Sequence, residues 1–254
     1  MIWILRKSIF FVENSTKFGA IKLQGDIISN NIEYIIDDQA PTITSVTGNE
    51  NWQKNEITLT IQAEDNQSGL ATEAYSFDNG QTWQKENTKK YTENTNGVVI
   101  KVRDALGNIA TYETINIDKI FKIKDYAETT KEEENYLTKI SQNTTISKLK
   151  EKIETNAPIK IIKGEQEIID ENTLVGTGMN LQIGDETYTL VVTGDLNGDG
   201  KIGLTDLANL KLSMVGKRKL STASTLAGDI NGDGKTSLSD LAKLKMYLVG
   251  KITI

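Results

Sequence analysis

Apolar residues recur in steps of three and four at two places near the end of the chain: Leu207, Leu210 and Met214, then Leu241, Leu244 and Leu248. Those steps bring side chains to one face of an α-helix, so two short amphipathic helices are predicted. Neither can bury its face alone, and the two are expected to pack on each other. Ahead of the first, YTLVVT (Tyr188 to Thr193) reads as a strand. Ahead of the second, Ser221 to Ala227 is long enough for about two helical turns. Between residues 40 and 119 the period changes to two. In ITLTIQAED, Ile57, Leu59 and Ile61 alternate with polar residues, as in a half-buried strand. Thr42 to Val46, Glu56 to Ala63, Ala71 to Phe77, Thr82 to Lys85, Val98 to Val102 and Ile109 to Ile117 read as strands. Asp78-Asn79-Gly80 and Ala105-Leu106-Gly107-Asn108 supply turns between them. Short strands at this spacing predict a small all-β sandwich.

Residues 120 to 193 mix the two periods. Glu132 to Leu137 is charged and helix-prone. In TISKLKEKI, Ile146, Leu149 and Ile153 share a helical face, Thr145 is placed as the N-cap, and Asn156-Ala157-Pro158 ends the run. Ile159 to Ile162, Glu167 to Ile169, Met179 to Ile183 and Thr187 to Thr193 read as strands. The expectation is an α+β domain of three to five strands with one or two helices. Only Gly194 separates it from the acidic segment that begins at Asp195, with no flexible Gly/Ser stretch, so the two regions are expected to form a rigid pair. At the other end, Met1 to Val12 is strand-like. Its basic residues lie inside the apolar run, which makes it a poor signal peptide and too short and charged to span a membrane. Ile21 to Leu23 and Ile32 to Ile36 are further strand-like pieces. IEYIIDD (residues 32 to 38) loosely echoes ETINIDK (residues 113 to 119). Residues 1 to 39 are therefore expected to be a partial β segment, or the tail of an upstream domain similar to residues 40 to 119.

The chemistry lies just before each amphipathic helix. DLNGDGKIGLTDLANLKLSMVG begins at Asp195 and DINGDGKTSLSDLAKLKMYLVG at Asp229, an offset of 34 residues. Positions 1, 3, 5 and 12 carry oxygen side chains: Asp195, Asn197, Asp199 and Asp206, then Asp229, Asn231, Asp233 and Asp240. Gly200 and Gly234 take position 6, where such a loop turns sharply. Lys201 and Lys235 take position 7, where the backbone carbonyl is the ligand. Gly203 and Ser237 take position 9, a water-mediated place. Calcium is a hard cation that takes six to eight oxygens, and these loops offer them. The general calcium hand has a bidentate Glu at position 12; the shorter Asp chelates if the exiting helix comes closer. Polar Asn-Gly and Asp-Gly turns would explain one copy. They do not explain two copies with the same ligand positions and the same subsequent helix. Two calcium ions are therefore expected, in preference to magnesium, which demands a tighter octahedron and keeps its waters.

Composition closes off other classes. The 254 residues fit two or three domains. Net charge is −6, against a nucleic-acid partner, whose phosphates need clustered basic residues. Removing the six loop aspartates from 35 acidic residues leaves 29, equal to the Lys plus Arg count, so the rest of the chain is balanced. There is no cysteine and no histidine, which excludes a disulfide framework, a thiolate zinc site and any His-based triad. Glycosidases need two carboxylates across a cleft. No Asp or Glu here stands in a recognisable catalytic frame, and the chain reads as non-catalytic. Trp52, Tyr75, Phe77, Trp83 and Tyr91 could bind sugar only as an exposed coplanar platform; core and hairpin packing is the expectation for them. Asp65, Asp78 and Asp104 are expected to cap turns, with a meeting at one loop end as the alternative.

Gly194 to about Ile252 resembles a type I dockerin, a family with two 12-residue loops of the form DxNxDGxxxxxD, each leading into one helix, in pseudo-twofold arrangement. The resemblance implies an EF-hand-like module that docks onto a cohesin-like module of a scaffold or surface protein. It implies that partner choice is read at loop positions 10 and 11, here Leu204 with Thr205 and Leu238 with Ser239. Lys211 with Leu212, and Lys245 with Met246, would flank the same surface. Many cellulosomal dockerins carry two hydroxyl residues at positions 10 and 11; position 10 is Leu in both copies here. Residues 40 to 119 resemble bacterial Ig-like domains through Ser68 to Leu70, Tyr75 to Gly80, Trp83 and Val102 to Ala110. Residues 120 to 193 are similar in placement to the stabilising modules beside some dockerins.

The fold class implied is multidomain: an all-β Ig-like sandwich (40–119), a small α+β domain (120–193) and an α-helical duplicated dockerin module (194–254). The function implied is a non-catalytic, calcium-dependent anchoring module of a bacterial extracellular or cell-surface complex, polysaccharide-degrading or otherwise. Carbohydrate is at most an indirect partner, and neither nucleic acid nor a membrane span is expected. The alternatives are a calcium-stiffened structural or adhesin tail and the C-terminal fragment of a glycoside hydrolase.

Overall fold

The alternation of Ile57, Leu59 and Ile61 is realised in the strand Ile57–Glu64, where those three side chains are buried and Thr58 and Thr60 are half-exposed. A computed structural model describes residues 37–254 and, ahead of them, the strands Ile2–Leu5, Ser8–Phe11, Lys22–Leu23 and Asp26–Ile27. These pair as two antiparallel hairpins, the first within the strand-like Met1 to Val12. The strand-like reading of Ile32 to Ile36 lies outside the described residues.

The chain forms two compact units: residues 1–49 with 58–118, and residues 50–57 with 119–254. Among the described residues the first unit is all β. Thr42–Thr47, Ile57–Glu64 and Thr88–Tyr91 make one sheet, and Leu70–Ser76, Lys101–Asp104 and Ile109–Thr111 a second. Thr95–Val98 pairs with Ile115–Ile117. The architecture is consistent with the Ig-like resemblance. Thr82 to Lys85 differs from expectation: only Gln84 pairs there, as a single bridge to Tyr75. The turn is tied down instead by Asp78, whose carboxylate accepts from the Thr82 N–H at 2.9 Å and from the Ser76 hydroxyl at 2.8 Å. The strand comes later, at Thr88–Tyr91.

The second unit has four helices: α1 (Ile146–Lys150), α2 (Leu204–Met214), α3 (Thr222–Gly228) and α4 (Leu238–Leu248). Its sheet has six strands, more than expected, in the order Ala127–Lys131, Glu134–Ile140, Glu186–Val192, Asn180–Ile183, Ile159–Lys163 and Gln166–Glu167. All neighbours are antiparallel except the second and third strands, Glu134–Ile140 and Glu186–Val192, which are parallel. Glu132 to Leu137 is therefore turn and strand, not helix. Glu132 and Glu133 take left-handed backbone torsions at the hairpin, and Tyr136 and Leu137 point to opposite faces, both buried. Burial on two faces outweighs the weak helical preference of the charged residues.

Those two faces are covered by different helices. On one, Leu137, Leu190 and Val192 form the main core with Phe121, Leu181 and the α1 residues Ile146 and Leu149. Thr145 caps α1 as expected, its hydroxyl accepting from the Lys148 N–H at 3.3 Å. The helix ends at Lys150 and Ile153 already lies in a short strand. On the other face Tyr136 and Val191 pack against Ala223 and Ala227 of α3. The Gly194 N–H closes the corner on the Ala227 carbonyl at 2.8 Å. Helices α2 and α4 meet as predicted. Leu210 and Leu244 are fully buried with Leu196, flanked by Leu207, Met214, Leu241 and Leu248. Burial of each central leucine is worth about 1.5–3 kcal/mol. A small second sheet places Ile120–Ile123 between Ile153–Glu154 and Gln53–Lys54. Beside it Trp52 lies so close over Gly184 that a Cβ there would sit 2.1 Å from the indole.

Candidate metal centres

Each acidic loop is folded by its own side chains. Asp195 Oδ1 accepts from the N–H groups of Gly198 at 2.7 Å and Asp199 at 3.2 Å, and its Oδ2 from Gly200 at 3.0 Å. Asp229 repeats the set: Gly232 at 2.9 Å, Asp233 at 3.0 Å, Gly234 at 2.8 Å. Asn197 bridges the Asp199 N–H and Oδ2, both at 2.9 Å; Asn231 bridges Asp233 in the same way, both at 2.8 Å. Lys201 and Lys235 have exposed side chains, which leaves their carbonyls as the groups available within the loop.

Position 12 has two roles. Asp206 Oδ2 accepts from the N-cap Gly203 N–H at 2.8 Å, the half of a capping box that a glycine N-cap allows, while Oδ1 accepts from Leu196 and Asn197 at 2.8 and 3.0 Å. Asp240 does the same with Ser237 and Asn231, both at 2.9 Å. One carboxylate thus starts the helix and closes the loop. Burial, joined by the charge of Asp195, pushes Asp206 above the ordinary aspartate range despite its N–H partners. Burial also acts upward on Asp240, but donors from Asn231, Ser237 and Ile230 outweigh it and hold the carboxyl below that range.

The donor set fits a hard divalent cation. Asp229, Asp233 and Asp240 each bring one carboxylate oxygen within 4.8 Å of the others. Oxygens on a common calcium at about 2.3–2.6 Å lie no farther apart than twice that distance. Among the described residues, one other trio converges as closely: Asp37, Asp65 and Asp104 in the first unit. Their turns account for them. Asp65 accepts from Gly69 at 2.7 Å, Asp104 from Asn108 at 2.8 Å, and Asp37 from Gln39 at 2.9 Å. Asp78 is not with them, and Asp37, at the expected domain boundary, was not singled out by pattern. The aromatic side chains follow the expectation of core and hairpin packing rather than a sugar platform. Phe77 and Tyr91 are buried, Trp83 stacks against the Arg103 guanidinium at 4.4 Å, and Trp52 belongs to the second unit.

The outer faces of α2 and α4 carry a second repeat. Leu204 and Leu238 open the helices with 76% of each exposed. Thr205, Ser239, Lys211 and Lys245 are exposed beside them, with Leu212 and Met246 at 39% and 40%. Ala208 and Val215, and their counterparts Ala242 and Val249, were missed from sequence. Val215 and Val249 are both 61% exposed. Steps of four, four and three from Leu204 to Val215, and from Leu238 to Val249, were the signal. The result is one exposed apolar stripe per helix, on a different face from the stripe that forms the core.

The duplicated acidic loop, each copy running into one helix with a core face and a bare apolar face, makes a module of two matching halves. Residues 193–249 match the family model for the dockerin type I domain. That stretch is a type I dockerin, a non-catalytic module whose family binds calcium and docks onto cohesin modules. No curated protein and no solved structure matches the chain. No helix among the described residues is long and apolar enough to cross a membrane.

Proposed function

We propose that this chain is a non-catalytic anchoring segment, held by its dockerin to a cohesin-like module of a scaffold or surface protein outside a bacterial cell. The observation that carries the reading is the matched pair of exposed apolar stripes, Leu204 to Val215 and Leu238 to Val249, with equal exposure at equivalent positions. Unburied leucines are costly to leave in water, and a flat partner sheet would cover one stripe at a time. Thr205 or Ser239 would supply a hydroxyl at the edge, and Lys211 or Lys245 a charge on the rim. Calcium would be held in each loop by the carboxylates and Asn at positions 1, 3, 5 and 12 and by the Lys201 or Lys235 carbonyl. Each ion fixes the start of α2 or α4 and so the slope of its stripe. The all-β unit serves as an Ig-like spacer in this reading.

The test is capture of cohesin modules by the full chain, in calcium and in chelator. Leu204→Asp with Leu238→Asp is expected to keep calcium and fold but lose the partner. Either change alone is expected to bind nearly normally through the other stripe. Capture that persists in chelator, or in the double variant, would leave a calcium-stiffened tail as the better reading.

A further inference from the structure

The duplication supplies an internal comparison: positions 1, 3 and 5 make the same hydrogen bonds within both loops, and the second adds only side-chain contacts of Ser237 and Ser239 within itself. Asp195 has a fourth partner that Asp229 lacks among the described residues: the Thr177 N–H, which donates to Oδ2 at 2.9 Å. Thr177 lies in the turn before the strand Asn180–Ile183, and its hydroxyl is locked between the Val192 N–H and carbonyl at 3.0 and 3.2 Å. Beside it, Gly176 touches the loop backbone; a Cβ there would stand 2.2 Å from the Gly198 carbonyl oxygen. The position-6 glycine, Gly200, is buried under Val175 and Leu174, whereas its counterpart Gly234 has nothing within 4 Å of an added Cβ. Two more contacts close the bracket. The Asn143 N–H donates to the Gly200 carbonyl at 2.9 Å, and the Gln142 side chain accepts from the Ile202 N–H at 3.1 Å. Asp195 is fully buried and Asp229 is not.

We propose that residues 142–143 and 176–177 are positioning residues for the first metal loop. They hold the Asp195 carboxylate from outside its loop before metal arrives, so that the first site is braced by the neighbouring α+β fold while the second rests on hydrogen bonds made within its own loop. The Thr177 N–H shares Oδ2 with Gly200 and leaves the Oδ1 edge facing the loop interior. A loop that is already shaped loses less freedom on binding, and outer partners of a ligand commonly govern affinity. The inference rests on the reading that both loops take calcium.

The experiment is a calcium titration of the full chain by calorimetry, in two backgrounds. Asp229→Ala leaves only the first loop to load, and Asp195→Ala only the second. Gly176→Ala, which forces the bracket off Gly198, is expected to weaken the first loop about 10- to 100-fold and to leave the second unchanged. Equal weakening of both loops, or no change in the first, overturns the proposal. Amide exchange in the unaltered, calcium-free chain gives a second reading that needs no variant to fold. The Gly200 N–H is expected to exchange more slowly than that of Gly234, because both donate to the position-1 carboxylate but only Gly200 is buried. Equal exchange overturns the proposal. If the unaltered chain binds calcium at neither loop, the calcium reading falls and takes this one with it. If it binds at both and Gly176→Ala alters neither, only the bracket falls.

Discussion

The first and second loops share their oxygen side chains at positions 1, 3, 5 and 12, the hydrogen bonds of positions 1, 3 and 5, and a similar helix after each, yet one is buried against a sheet domain and the other faces solvent. The difference shows that a metal loop is not specified by its twelve residues alone. Copies with the same local chemistry acquire different energetics from whatever touches their backs.

Removing calcium is expected to have the largest effect on this comparison, because metal that binds only the native state adds its binding free energy to stability. Chelation should reduce helical circular dichroism, with the amides of α4 losing exchange protection before those of α2. Simultaneous loss would erase the distinction. Next come the buried leucines. Leu210→Ala and Leu244→Ala should each cost about 2–5 kcal/mol in denaturant unfolding at saturating calcium, since both create a cavity in one shared core. A large inequality would show that the halves do not share it. Single ligand losses rank third. Asp195→Ala and Asp229→Ala should each remove about one equivalent of bound calcium by calorimetry, because each strips the first ligand from one loop.

The smallest effect is a split in titration. Asp206 is raised above 3.8 in the calcium-free fold, mainly by burial. Its contribution to stability is full below that value and is lost as pH rises through the raised one. Burial also acts upward on Asp240, but backbone donors prevail and hold it below 3.8. Its contribution is present above 3.8 and lost as pH falls through the depressed value. Carboxyl-carbon NMR should place the two midpoints on opposite sides of 3.8; a common midpoint would mean that the loops sense the same surroundings.

The repeats were legible in the sequence because both their polar pattern and their core stripe are periodic: oxygen side chains at fixed loop positions, leucines at helical steps. The cap at Thr145 was legible for the same local reason. The strand at Glu134–Ile140 was not, because its charged neighbours favour helix locally and only two-sided burial of Tyr136 and Leu137 decides otherwise. The contact on Asp195 was beyond pattern altogether. Thr177 donates a backbone N–H, which every residue but proline has, and nothing in Val175-Gly176-Thr177 announces a partner 18 positions on. The outer stripe of α2 and α4 could have been read, had the second helical face been counted as well as the first.

The strand Gln53–Lys54 has a consequence for how such a protein can be recombined. It belongs to the second unit by its parallel pairing with Ile120–Ile123, although it is encoded inside the stretch that builds the first. A crossover at residue 119 would therefore hand on the C-terminal unit without one of its strands and without Trp52. A crossover at residue 193 would hand on a dockerin without Thr177 behind its first loop. The seams that look natural in the linear gene are not the seams of the folded parts, and grafting the C-terminal unit onto a new carrier calls for the 50–57 segment to travel with it.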